Sequence, residues 1–311
     1  MMNFDKSFKS YPRELLQYEP QMTIQQRSKE LRSYYMGDFL EEFQKRNGVR
    51  TDRVNEVFSR LSSEAIAFQH AFIADNPNPL GSKHLMDKPA HVERGEYAEF
   101  HANYHPYFRN FLEKFGYYDI FLVEPENGRV VYSVFKELDY ATSLVDGPYS
   151  QSNFAAAFRA VQGSRNPDLV KMVDFDEYYP SYQSAASFLS VPIIDGDEPV
   201  GVLVFQIPID QINTTMTNSG SWSSVGLGRS GETYMVSNDY SMRNDSRLLI
   251  EDPDSFFGNL QKQNIPAEKI TRIRSLQSSI LIQNAKSEAT ILAIQGEKGT
   301  ALVTNYLGNQ V

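Results

Sequence analysis

Gly226-Leu227-Gly228-Arg229-Ser230-Gly231 matches the dinucleotide fingerprint GxGxxG, and Glu251 follows at the distance where such a motif keeps its acidic residue. The fingerprint works only after a strand and at the start of a helix, where the helix N-terminus meets a pyrophosphate. Here the next residues, Glu232-Thr233-Tyr234-Met235-Val236, read as a strand, so the glycines belong to a loop entering a hairpin. All five histidines, His70, His84, His91, His101 and His105, fall in one stretch. His101 and His105 stand one helical turn apart, a possible two-ligand metal face. Ala102 stands where a zinc protease carries glutamate, and no third ligand has a fixed spacing, so a half-buried, hydrogen-bonded pair is the plainer reading. No serine occupies a GxSxG elbow. Asp174 and Asp176 lie at a strand end, where solvated charges are the rule. The chain has no cysteine, which excludes disulfides, thiol catalysis and cysteine-ligated metals. No catalytic residue, metal ligand or cofactor follows from these residues. A soluble metal-binding protein or hydrolase using the His70–His105 cluster is the alternative to a binding function.

A second constellation suits binding rather than reaction. Tyr132, Lys136, Asp139, Tyr149, Asp174, Tyr178, Tyr179, Tyr182 and Gln206 fall on the strands of one predicted sheet or on the loops over its helix-covered face. Tyrosine walls exclude water, and one cation with one or two anions sets orientation, which fits a small polar ligand. The competing reading makes half of these tyrosines ordinary core or surface residues.

The elements that must position these side chains can be read from periodicity. Residues 1–90 read as helical: Thr23-Ile24-Gln25-Gln26 is a capping-box pattern, and Ile24, Leu31, Tyr34, Tyr35, Phe39 and Phe43 recur at helical spacing up to Asn47-Gly48. A second helix carries Val54, Val57, Phe58, Leu61, Ala65, Phe68 and Phe72, and ends before Asn76-Pro77-Asn78-Pro79. A third runs from about Glu93 to Phe115. Beyond Phe115 the period becomes 2. Strands are expected near 118–124, 129–136, 170–175, 186–194 and 199–207, with a helix at 149–161, giving a five-stranded antiparallel sheet.

Gly116 to Ser133 and Gly231 to Ser246 share one pattern, an aromatic and β-branched strand, a turn rich in Asn, Asp or Gly, and a second strand. Two such openings imply two similar modules in tandem. The second would have its helices near 253–293 and a third strand over Thr300-Ala301-Leu302-Val303-Thr304-Asn305-Tyr306, and would stop two strands short of the first. The start at Met1-Met2-Asn3-Phe4 and the stop at Gln310-Val311 read as the ends of a fragment. The expected class is therefore α+β, with N-terminal helices over residues 1–92, a first module over 93–216 and an incomplete second over 217–311. A length of 311 residues suits two domains. A net charge of −9 disfavours polyanions, so no nucleic-acid partner is expected. No run approaches the roughly 18 apolar residues of a membrane span.

The run from Phe115-Gly116-Tyr117-Tyr118-Asp119-Ile120-Phe121-Leu122-Val123, through Val131-Tyr132-Ser133-Val134-Phe135-Lys136-Glu137-Leu138-Asp139-Tyr140 to Gly147-Pro148-Tyr149, resembles the double Cache sensor domains of bacterial transmembrane receptors. Asp174-Phe175, Tyr179-Pro180-Ser181-Tyr182, Phe205-Gln206-Ile207-Pro208-Ile209-Asp210 and Gly226-Leu227-Gly228 extend the resemblance. It implies two PAS-like modules on the periplasmic side of the inner membrane, the distal one holding a small polar ligand and the proximal one passing the signal to a chemoreceptor, histidine kinase or cyclase. It also implies a non-enzymatic homodimer paired through its N-terminal helices, held to the membrane by transmembrane helices this chain lacks. The amino-acid-binding branch of that family carries an arginine and a tryptophan over the pocket. Neither is evident here, since the only tryptophan is Trp222, and carboxylates, amines and purines stay open as ligands.

Overall fold

The computed structural model describes residues 6–11, 13–14, 21–89 and 95–311. Met1, Met2, Asn3, Phe4 and His91 lie outside the described residues. Helix α1 (Ile24–Tyr34) opens on Thr23, whose hydroxyl accepts the Gln26 N–H while the Gln26 side chain returns to the Thr23 N–H. The helix passes through a π turn (Tyr35–Phe39) into α2 (Leu40–Asn47). The sequence demands that turn. Leu31, Tyr35, Phe39 and Phe43 are all buried in one cluster, yet they are spaced by four, and at about 100° per residue such a set drifts by about 120° from first to last. One extra residue in the winding brings the drift back to about 20°.

The second expected helix is two pieces, α3 (Arg53–Ser59) and α4 (Ser63–Gln69), because Ser62 caps a new helix start with its side chain on the Ala65 N–H. A second π turn, His70–Ala74, continues α4. Helix α5 (Glu96–Phe115) ends at Gly116, whose left-handed φ of 70° closes the last turn.

Five strands follow, β1 (Asp119–Val123), β2 (Val130–Ser133), β3 (Lys171–Tyr178), β4 (Ser184–Asp195) and β5 (Glu198–Pro208), with α6 (Asn153–Val161) between β2 and β3 in sequence. They form one antiparallel sheet of order β2-β1-β5-β4-β3. β1 is buried along its whole length, since both of its faces are covered. Ile120 and Leu122 join a cluster with Tyr97, Ala98 and Leu112 of α5, while Phe121 and Val123 join Phe154 and Phe158 of α6. The β1–β2 register slips between Leu122 and Val123, so that Leu122 pairs with Tyr132 but Val123 with Val130. The extra residue, Val131, turns Tyr132 toward the α5 side.

The chain divides into two compact units, the first ending at Ile207 and the second made of Pro208–Val311 with two short stretches, Arg46–Gly48 and Phe175–Glu177. The second carries α7 (Ile209–Met216), α8 (Arg247–Glu251), α9 (Pro253–Lys262), α10 (Ala267–Leu276) and α11 (Glu288–Ile294). The α+β class holds, but the expected second sheet is replaced, among the described residues, by isolated bridges. Val236 pairs with Met242 and Thr304 with Gln310, and no ladder extends from either. In the first case Asn244 takes the Met235 N–H on its side-chain oxygen and donates to the Thr233 carbonyl, so a side chain replaces ladder partners. Trp222 is buried here, with the Arg247 guanidinium 4.9 Å from its ring centroid. The glycine-rich loop 226–231 follows a short 3-10 turn and leads into no helix, which removes the dinucleotide reading.

Candidate ligand-binding site

The segment 134–141 after β2 carries four of the polar side chains that matter, and two buried anchors hold its backbone. Asp119 Oδ1 accepts the N–H groups of Ile120 at 2.6 Å, Val134 at 2.8 Å and Phe135 at 3.0 Å, and its other oxygen accepts the Ser133 hydroxyl at 3.1 Å. Gln69 of α4 donates to the carbonyls of Leu138 at 2.9 Å and Tyr140 at 2.7 Å, and accepts the Tyr35 hydroxyl at 2.6 Å. Between these anchors Lys136 adopts a left-handed φ of 61°, a conformation that costs a non-glycine residue about 1–2 kcal/mol. The anchors offset that cost.

Lys136 is buried. Its ammonium donates to the Ser133 carbonyl and lies 4.6 Å from the ring centroid of Tyr132, 4.8 Å from Tyr140 and 5.8 Å from Phe72. Burial pulls its pKa down to about 7 against the pull of Asp119 and Asp139. Tyr132 donates to Nδ1 of His105, whose Nε2 donates to the His84 carbonyl, each at 2.7 Å. His101 meets the Asp87 carbonyl through Nδ1, also at 2.7 Å. Burial and the nearby Lys136 charge keep both imidazoles neutral, with His105 lowered to about 3. The pair is thus a hydrogen-bonded core pair, and no group of three or more possible ligands among the described residues could hold a metal ion.

Asp139 is fully buried, in different surroundings from Tyr132. One carboxylate oxygen accepts the Tyr178 hydroxyl at 2.6 Å, and Oδ1 has no hydrogen-bond partner in the protein. Burial, then the charge of Asp119, pushes its pKa up to about 7. Tyr149 and Tyr179, 2% exposed each, also have unpartnered hydroxyls. Tyr149 lies within electrostatic reach of Tyr35, Asp139 and Tyr179, with its ring centroid 6.4 Å from that of Tyr178. Phe39, at the end of the first π turn, stacks on Tyr182 at 5.0 Å and meets Tyr179 at 5.4 Å. A buried polar group left without a partner costs about 1–3 kcal/mol. Three such oxygens gathered among aromatic rings mark a candidate recess for polar atoms.

The remaining predicted residues separate from this recess. Gln206, paired with Asp119 across β1 and β5, donates to the Ser181 hydroxyl at 3.1 Å, and Ser181 donates to Glu137 at 2.6 Å. Glu137 also accepts the Tyr118 hydroxyl at 2.7 Å, and burial followed by the Asp139 charge raises its pKa well above the usual carboxylate range. Asp174 is exposed on β3, its carbonyl accepting from the Asn153 amide at 3.2 Å. The structure therefore gathers Asp139, Tyr149, Tyr178, Tyr179 and Tyr182, sets Tyr132 and Lys136 against α5, and leaves Asp174 outside. Sequence reasoning missed Asp119, Gln69, Tyr35 and Glu137. Gln69 had a signal, a polar side chain one turn from Ala65 on a buried apolar stripe. Two surface clefts, about 280 Å³ beside Arg247 and about 260 Å³ beside Arg60, have those arginines already bonded to backbone carbonyls.

No protein-family profile and no curated protein matches the chain. Among solved structures, the sensor domain of the V. cholerae histidine kinase DctB is similar over 58% of this chain and 60% of that one, with 16% identity and a TM-score of 0.29. The chain thus spans about three fifths of that sensor domain's length.

Proposed function

We propose that the chain is the ligand-sensing part of a bacterial transmembrane signalling receptor of double Cache type, standing on the extracytoplasmic side of the membrane and performing no chemistry. The first unit binds a small polar molecule, and the second relays occupancy within a homodimer. The observation that supports this best is the recess itself: Asp139 Oδ1 and the hydroxyls of Tyr149 and Tyr179 are buried, unpartnered and mutually close. A core built for stability alone would pair or remove them. The surroundings favour binding over reaction, because no nucleophile with an adjacent base lies there. The alternative, a metal protein or hydrolase, loses support from His101 and His105, whose bonds run to Asp87, His84 and Tyr132.

A ligand that binds only the folded state stabilises it by about 2.7 kcal/mol at a hundred times its dissociation constant. A thermal-shift screen of amines, carboxylates, amino acids and purines is expected to give hits that Asp139→Asn and Tyr149→Phe weaken. A complete absence of hits, or hits indifferent to both substitutions, counts against sensing at this site.

A further inference from the structure

Granted a homodimer, we propose that two copies of this chain pair through an aromatic stripe on α5, laid antiparallel across a two-fold axis at Tyr107. Among the described residues every exposed aromatic side chain stands on this one helix: Tyr104 at 48%, Tyr107 at 73%, Phe111 at 42% and Phe115 at 53%. The half-buried Phe100 extends the row, stacked on Tyr104, and the Phe111 and Phe115 ring centroids lie 4.4 Å apart. At about 100° per residue these five side chains fall within an arc of about 80°. The neighbouring arc carries Tyr97, His101, His105 and Leu112, all buried. The apolar face of α5 is therefore wider than the core of its own chain covers. At about 200 Å² for a whole aromatic side chain, the four exposed rings leave about 400 Å² in one patch. That is about half of the roughly 800 Å² each partner gives to a standard interface.

The spacing of the stripe names its occupant. Read from either end, the row runs aromatic at the same intervals about its midpoint, so it is complementary to itself. With the axis between 107 and 108, Phe100 faces the partner's Phe115, Tyr104 faces the partner's Phe111, and the two Tyr107 rings meet at the axis. The polar flank keeps nearly the same register. Glu99, Asn103, Asn110 and Lys114 are exposed and fall along one side of the stripe. A two-fold axis crossing the helix brings that side against itself, so Asn103 meets the partner's Asn110 and Glu99 meets the partner's Lys114. Lys114 has no ion pair among the described residues of its own chain, its ammonium lying 5.7 Å from the Phe115 ring centroid. Glu99 takes Lys88 on one oxygen and keeps the other. The first turn of α5 is acidic and its last turn basic, and antiparallel pairing sets each against its opposite while opposing the two helix dipoles. A parallel pair brings no such charges together. The pairing thus falls on α5 rather than on the helices of residues 1–92.

The test is sedimentation equilibrium on the full chain, beside oxidative cross-linking of single-cysteine variants, which the absence of native cysteine makes unambiguous. A reversible dimer is expected, and Tyr107→Glu, which sets two carboxylates at the axis, should raise its dissociation constant at least about tenfold. Tyr107 is mostly exposed, so the melting temperature of the monomer should stay near that of the parent chain. Tyr107→Cys should form a disulfide-linked dimer. An equal mixture of Tyr104→Cys and Phe111→Cys chains should give the mixed disulfide in preference to either self-linked product. A chain that remains monomeric at the highest concentration overturns this pairing and the homodimer together. A dimer indifferent to Tyr107→Glu, or one linked by Met36→Cys on the first π turn and not by Tyr107→Cys, overturns the α5 pairing and leaves the homodimer standing. Self-linked products in preference to the mixed disulfide overturn the antiparallel register.

Discussion

Asp119 binds no ligand in this account, yet the recess depends on it. Its one carboxylate oxygen fixes three backbone N–H groups, two of them at the start of the segment that carries Lys136 and Asp139. Burial holds its pKa up at about 6 even against those donors. Asp119→Ala strips an acceptor from three N–H groups, of which Val134 keeps the Ile120 carbonyl at 3.2 Å, and urea unfolding is expected to show a loss of at least about 2 kcal/mol, since each stranded group costs about 1–3 kcal/mol. A loss under about 1 kcal/mol would show that water or a neighbour replaces the carboxylate. The contrast with Asp139 explains what the sequence could show. Tyrosines clustered around Asp139 hint at a wall from composition alone, and Tyr149, Tyr178 and Tyr182 share one core cluster. Asp119 and Gln69 instead serve backbone groups, and no spacing rule marks a side chain whose partners are another segment's N–H and carbonyl groups. Asp174 differs from the buried tyrosines for a simpler reason: β3 is an edge strand whose side chains at 171, 172, 174 and 176 are exposed.

Among the elements, the first π turn links sequence spacing to the site. Tyr35 and Phe39 bound it, the first bonded to Gln69 and the second stacked on Tyr182. Gly37 lies inside the turn with nothing near the position of an added Cβ. Inserting one alanine after Gly37 exceeds the single residue that the π turn absorbs and swings Phe39 and Phe43 by about 100° relative to Leu31. The variant is expected to lose at least the roughly 3–5 kcal/mol of a buried phenylalanine, measured by chemical denaturation, together with any ligand response. Gly37→Ala, which adds a methyl into open space, should cost little by comparison. The strands of the first unit were legible because turn residues bound them and apolar runs fill them. Those of the second were not, because the same alternation is interrupted by Asn244 and Asp239, whose side chains capture the Met235 and Ser241 N–H groups that a ladder would use.

At the scale of the whole molecule, the two units are built by different means. The first is held by two extended apolar clusters. The second has smaller clusters and leans on polar hubs such as Asp245, whose oxygens accept the Ser279 N–H at 2.7 Å, the Ser278 hydroxyl at 2.8 Å and the Asn213 amide at 3.0 Å. Asp245→Ala should therefore destabilise the second unit by about 3 kcal/mol or more, the cost of stranding several buried donors, and limited proteolysis should then cut within 208–311 at lower denaturant than in the parent chain. An unchanged pattern would show the hub to be dispensable. Trp222 gives this division an optical form. It is the chain's sole indole, it is buried in the second unit, and a guanidinium lies against its face. Excited selectively at the red edge, its emission reports the loosening of that unit, while the tyrosines packed around Asp139 dominate the near-ultraviolet dichroism of the first. The chain carries its own pair of spectroscopic reporters, one for each unit, and needs no attached dye to tell which of them a ligand or a substitution has changed.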